Sequence, residues 1–369
     1  MEKIAENLKH ERGFDLRGFW IRLWNLMQFP KAQIIKLLFL IMAVEIAKLI
    51  GPYLLKLVID TITVFNADEI GRVLVLVGLM FLAYEAASLF SYLSESKVFD
   101  ILVKIQTSIA NNAHRKMVFL TLGYHERENT GNKITKISKG VDKIVELLSN
   151  LFFEVAPTIF QLIFTAVVLL FIDWRFCLVL FIFVPIFMIL TFILNKGSFP
   201  FRKRRHESQE EASGVLAQAI ININTVKSFV QEEREHFKFS KITTDIKDNI
   251  LAEYGRILRF NIKRNFIIDA GRVSIMLLGI FLVWKGSLTL GSLVFIYTVS
   301  EKSLFSLYRI SRLYDKLMES SEAIERIYDL SIEEPEIKNP KRGIRPKEIE
   351  GRIEFKNVSF LYSDSNNEA

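Results

Sequence analysis

One cysteine, Cys177, is all that 369 residues contain. No disulfide framework and no thiolate metal site can form within the chain. The five histidines, His10, His114, His125, His206 and His236, sit far apart, and none has metal-ligand spacing. No Gly-Lys-Ser/Thr occurs anywhere, which excludes a phosphate-cradling loop. The first 30 residues are mostly charged and polar, so no cleavable signal peptide is expected. Proline is scarce at 8, and three of these, Pro335, Pro340 and Pro346, cluster with Gly343 and mark a linker.

Apolar surface is what the chain has in excess. Half of it is hydrophobic, 31 residues are Phe, and mean hydropathy is +0.26. Charged residues still make up 24%, so large aqueous parts accompany any membrane spans. The organising stretch is 155–195. Residues 155–172 carry no charge, Asp173, Trp174 and Arg175 intervene, and 176–195 carry none again. Each half is about the length a helix needs to cross a ~30 Å hydrocarbon layer, so the two form a helical hairpin. A core hairpin of a soluble protein is the competing reading, but adjacent uncharged runs of this length are rare outside membranes. The net charge of +7 could suggest nucleic acid. Cytoplasmic loops of membrane proteins gather Lys and Arg in the same way, so no nucleic-acid partner is expected.

Residues 1–30 read as an N-terminal cytoplasmic segment. Within it Leu16, Phe19, Trp20, Leu23, Trp24 and Met27 recur at helical spacing, as in an amphipathic helix lying in the headgroup region. A helix packed on protein is the alternative. Spans are expected at about 33–59, 72–93, 151–172, 176–195, 265–284 and 290–308. The first is interrupted by Lys36, Glu45, Lys48 and Lys56, of which Glu45 and Lys48 share a face and can pair. Glu85 lies in the second, Asp269 and Arg272 near the inner end of the fifth, and Glu301 and Lys302 in the sixth. Charges at mid-bilayer normally face protein or water. Glu45, Lys48, Glu85, Glu301 and Lys302 are therefore candidates for a translocation pathway, or for pairing inside the bundle.

Two long charged stretches, 94–150 and 196–264, separate the spans. The first holds nine Lys or Arg, and Ile101, Ile105, Ile109 and Ala113 recur at helical steps. About 25 residues of helix down and as many back reach ~40 Å beyond the membrane. The second opens with the basic residues 201–205 and carries an apolar patch at 219–229. The outer turns carry few Lys or Arg, so both termini and both long loops are assigned to the cytoplasm, in a plasma membrane of the bacterial inner-membrane type. Residues 31–330 then form the membrane domain, 331–350 the linker, and 351–369 the start of an incomplete domain, whose residues 351–362 alternate like a strand. The fold class is an all-α membrane protein: six long helices, two extended cytoplasmic helical loops and a short terminal β segment.

This layout resembles the membrane domain of an ABC transporter of the exporter type. YHERENTGNKITKISKGVDKI resembles that family's first cytoplasmic loop tip, and SGVLAQAIININTVKSFVQEEREHFKF its second. GSLVFIYTVSEKSLFSLYRISRLYDKLMESSEAIERIYDL resembles the sixth span and its extension, and GRIEFKNVSFLY the first strand of the nucleotide-binding domain. The resemblance implies coupling loops at Tyr124, His125, Glu126, Arg127 and Glu128, and at Ile223, Asn224, Thr225 and Val226. It implies Tyr362 as an adenine-stacking residue, and a second copy or related half-transporter as partner. It also implies an ATP-binding domain in cis or in trans, membrane lipid around the spans, and ATP with Mg2+ as cofactors of the complete transporter. The acidic metal-binding strand, signature segment and switch histidine of that ATPase are missing here, so this stretch alone is expected to bind no nucleotide productively. Whether it counts as an enzyme is left open by the sequence. A membrane binding or regulatory subunit of the same fold is the alternative. A secondary transporter lacks such tall charged inner loops and often shows broken spans around a midplane site.

Overall fold

The computed structural model describes residues 16–27, 30–64, 69–121, 124 and 130–334, with 343, 348 and 351–358 after them. Nearly all are helical. The elements are α1 (Leu16–Met27), α2 (Lys31–Thr63), α3 (Ile70–Phe119), α4 (Thr130–Asn150), α5 (Ala156–Ile172), α6 (Trp174–Ile221), α7 (Ile223–Ser228), α8 (Glu232–Trp284) and α9 (Leu290–Ile332). One wide π turn, Leu151–Val155, joins α4 to α5. Pro157 explains it: its ring nitrogen cannot donate and its ring crowds the preceding turn, so the helix loosens there. Six long rods result. At 1.5 Å per residue the 50 residues of α3 extend ~75 Å, far more than a ~30 Å hydrocarbon layer holds.

Local chemistry fixes the ends. Pro30 stands in extended conformation before α2 and stops α1 from running on. Asp173 breaks the hairpin between α5 and α6: its backbone is extended and its side chain accepts from the Arg175 amide at 2.9 Å. Thr289 caps α9 in the same way, accepting from Ser292 N at 3.1 Å. Where α2 meets the start of α9, the Gly291 amide donates to Asp60 Oδ1 at 2.9 Å, a carboxylate at a helix N-terminus. A Cβ at Gly291 would fall well inside contact distance of the Lys56 carbonyl oxygen and the Asp60 carboxylate. Gly291→Ala is therefore expected to cost about 2 kcal/mol by overpacking against backbone, read as a lower melting temperature in detergent. Gly71→Ala, which meets nothing, is the silent control.

Four of the six rods are long and apolar enough to cross a membrane by length and composition: Ile70–Phe119, Ser138–Ile172, Trp174–Ser198 and Glu232–Trp284. The other two, α2 and α9, were expected to span as well. They carry Glu45 with Lys48, and Glu301 with Lys302, in mid-run and lie deeper in the bundle. The four apolar helices turn large side chains outward, among them Phe81 (63% exposed), Phe181 (72%) and Leu277 (63%). Water would penalise this heavily, whereas lipid tails would not. The apolar window of α3 is only 6% buried.

Two cores hold the rods together. One gathers α1, α2, α3, α4 and α9 around Leu23, Ile105, Ile144, Leu147 and Ile324. Ile101, Ile105, Ile109 and Ala113 are all buried, as their helical spacing predicts. The other gathers α5, α6, α8 and α9 around Leu169, Phe176, Phe187, Ile275 and Ile296. α9 touches every other long rod. α1 divides its apolar residues: Phe19, Leu23, Leu26 and Met27 go into the first core, while Trp20, Ile21 and Trp24 stay exposed. The packed-helix alternative therefore accounts for one face of α1, and the tryptophans on the other keep about 39% of their surface exposed.

The β segment expected after the linker does not form among the described residues. Residues 351–358 are irregular, and Ile353 and Phe355 are exposed. A lone strand has no neighbour to take its backbone hydrogen bonds, so it is unstable.

Outside the spans expected at 151–172 and 290–308, Glu146 of α4 accepts from Lys316 of α9 and from Lys143 at 3.0 Å. The Lys316 hydrogen bond, aided by Lys143, holds its carboxyl below the usual glutamate range against partial burial, which pushes it up. A lowered folded pKa stabilises above the unfolded value of about 4.3 and loses that contribution as pH falls through the folded value. Glu146→Gln is expected to cost about 0.5 kcal/mol at pH 7, since the pair is part-exposed. Its melting curve should merge with the parent's once the pH falls below the folded value.

Candidate functional site

A cavity of about 690 Å3 opens between α2, α3, α5 and α9. Helix periodicity builds its walls. From α2 come Glu45, Lys48, Leu49 and Pro52, and from α9 come Glu301, Lys302, Phe305, Ser306 and Arg309. Tyr84 and Ala87 of α3, with Gln161 and Phe164 of α5, complete it. Four of the five charged residues picked from the sequence thus meet at one cavity. Glu85 does not: it is exposed and off the lining, because Tyr84 and Ala87 take the inward face of α3.

The charges are mostly spoken for. Lys48 Nζ donates to Glu45 Oε1 at 2.6 Å, with Glu45 buried and Lys48 half exposed. Glu301 accepts from Arg272 of α8. The same guanidinium donates to Tyr297 Oη at 2.9 Å and to Asp269 Oδ1 at 3.2 Å, and lies over the Phe305 ring. A charge held in so apolar a setting needs several partners at once, and Arg272 has them. Arg309 Nη2 donates to Gln161 Oε1 at 2.9 Å, while its buried Nε has no partner among the described residues. Lys302 is exposed to the cavity and makes no ion pair among the described residues. Behind this wall, Thr165 and Ser303 share a fully buried hydrogen bond at 2.5 Å that ties α5 to α9.

Arg272, Arg309, Gln161 and Phe164 were not chosen from the sequence as site residues. Arg309 had a readable signal, seven residues after Lys302 and so on the same face. Arg272 had none, because its partner Glu301 lies on another helix.

The second feature is the tip of the α6–α8 stalk. α7 is a six-residue helix set between them. Val226 N donates to Asn222 O at 3.0 Å and Gln231 N to Val226 O at 2.9 Å, so the backbone of the tip is satisfied internally. The left-handed turn at Val230 (φ 51°) aims the chain into α8, and Lys227 pairs with Glu232 at 2.9 Å. That bond holds the Glu232 carboxyl below its usual range. Side chains of Ile220, Ile221, Ile223, Phe229 and Val230 are exposed, Asn224 and Thr225 likewise, and Val226 is half-buried. An apolar patch at the end of a polar stalk is a contact surface. At the other tip Tyr124 packs against Ala113, Leu120 and Leu330. His125, Glu126, Arg127, Glu128 and Tyr362 lie outside the described residues. No cluster of three His, Cys, Asp or Glu suited to a metal occurs among the described residues.

Comparison with known proteins matches residues 34–307 to the family model described as ABC transporter transmembrane region. Curated relatives include the mitochondrial iron-sulfur clusters transporter ATM1 of Debaryomyces hansenii, 24% identical over 358 residues, covering 94% of this chain and 51% of that protein. The ABC transporter B family member 6 of Dictyostelium discoideum is 24% identical over 363 residues, covering 92% and 50%. The chain spans about half the length of the curated relatives it matches. Among solved structures, one of a bacterial Atm1-family ABC exporter with ATP bound superposes with a TM-score of 0.70 at 19% identity, covering 84% of this chain and 55% of that one. That likeness is one of fold.

Proposed function

The chain belongs to the ABC transporter transmembrane-region family, and from that premise we propose that it forms the translocation pathway of an ATP-driven exporter. The cavity between α2 and α9 carries this reading: ionic and aromatic groups from four helices converge on a space large enough for a small amphipathic solute. All six rods cross the membrane in this reading, α2 and α9 with their charged faces inward. A second copy or related half-transporter completes the pathway. ATP-binding domains, in cis or in trans, grip α7 and the tip around Tyr124. Closing of those domains on ATP and Mg2+ moves the tips, and the stiff rods carry the movement to the cavity in an alternating-access cycle. ATP contributes only through its different affinity for the two states.

The Lys- and Arg-rich loops favour the cytoplasmic face of a plasma membrane of bacterial inner-membrane type. The relatives named as mitochondrial make the matrix face of an inner membrane the equivalent placement. Their names also specify iron-sulfur clusters, but Cys177 does not line the cavity, so it offers no thiolate to a cluster.

The test is reconstitution of the protein with its ATP-binding domains in inside-out proteoliposomes. ATP-dependent solute accumulation that is lost without Mg2+ is expected. Nucleotide binding with no movement of any solute would overturn the reading in favour of a regulatory subunit.

A further inference from the structure

Resting on that reading, we propose that the cavity takes an amphipathic organic anion, held by Lys302 and Arg309 at either end of one face of α9. The cavity's acids are already neutralised, Glu45 by Lys48 and Glu301 by Arg272. Two cations are left over. Among the described residues Lys302 has no ion pair, Arg309 has the neutral Gln161 as its hydrogen-bond partner, and the buried Arg309 Nε has none. A guanidinium in this position keeps donors for an acidic oxygen. Seven residues of helix place the two cations on the same face about 10 Å apart.

What lies between them defines the rest of the ligand. Phe305 sits on that face, 47% exposed, and Phe164, Tyr84 and Leu49 line the same space. A flat or ring-bearing apolar body fits between those walls, with its acidic group at one cation or an acid at each. An organic cation meets the opposite: among the described residues, two positive charges without an ion pair and no free carboxylate on the lining. A neutral apolar solute would leave both cations without a partner in a poorly hydrated space.

Equilibrium binding to the purified protein in lipid nanodiscs tests this without nucleotide. The probes are radiolabelled taurocholate, as an amphipathic anion, and tetraphenylphosphonium, as an apolar cation. Taurocholate should bind and tetraphenylphosphonium should not compete. Lys302→Gln and Arg309→Gln should each weaken taurocholate about ten-fold, or about 1.4 kcal/mol. Arg309→Lys should recover part of the loss, which separates charge from folding. Glu45→Gln, which frees Lys48, should tighten the anion several-fold. Preference for tetraphenylphosphonium, or a change under two-fold in both Gln variants, overturns the proposal. Binding is read apart from transport. ATP-driven movement of the cation alone would sink the anion site and leave the exporter reading standing. Anion binding without any ATP-driven movement would do the reverse.

Discussion

Glu253→Leu is expected to be among the most destabilising single changes in the α6–α8 stalk, at about 3 kcal/mol. Glu253 of α8 is 3% exposed and accepts from Arg205 Nη1 of α6 at 2.5 Å. Along the same two rods toward α7, the small core of Ala212, Val215 and Ile242 continues the packing. Removing one partner of a buried pair leaves the other charge desolvated and uncompensated, which costs about 3–5 kcal/mol. Arg205 retains some solvent access, so the lower end applies. Replacing both by Leu should restore most of the loss, because apolar residues of similar volume satisfy the site without desolvation. Thermal unfolding followed by size-exclusion chromatography, as a double-mutant cycle, reads this directly. Equal losses in the single and double variants would show that the pair's charges are not the cause.

Ile223→Asp with Phe229→Asp should do the reverse, sparing the fold and abolishing coupling. Both side chains are exposed, so melting should shift by less than a degree or two. In the proposed transporter they are the exposed apolar end of the stalk on which ATP-binding domains would rest. Two carboxylates there remove apolar contact and add charge that the interface would have to desolvate. ATP-dependent transport is expected to fall more than ten-fold while solute binding in nanodiscs stays within two-fold. Unchanged transport would mean that α7 does not carry the movement.

Much of this was legible in the residues. The hairpin at 173–175 could be read because two uncharged runs flank one Asp, and Asp173 proves to be the cap that breaks them. The stripe Ile101, Ile105, Ile109 and Ala113 buries as its spacing requires. Glu45 and Lys48 pair because three residues place them on one helical face. Other features depend on neighbours that a linear pattern does not reveal. Glu85 is charged and in an apolar run like the others, yet it lies off the cavity lining, because Tyr84, close against Gly51, and Ala87 occupy the face of α3 that lines it. Arg272 gains its role from Glu301 and Tyr297 on another rod. The apolar stripe of α1 gave no means of telling protein from headgroups, since both reward the same pattern; here Phe19, Leu23, Leu26 and Met27 bury against protein and Trp20, Ile21 and Trp24 stay exposed. Of the strand expected at 351–362, the described residues 351–358 are irregular, because strand propensity needs a sheet to act on.

The bare upper half of α3 has a practical consequence. With 6% of that window covered by its own chain, heat resistance depends on whatever medium or companion molecule wraps it. Anything that binds the folded form and not the unfolded one raises the melting point by mass action. A thermal ranking of variants measured in a thin, short-chain micelle need not survive transfer to a bilayer, and changes at Leu74, Phe81 or Leu82 should show the largest reordering.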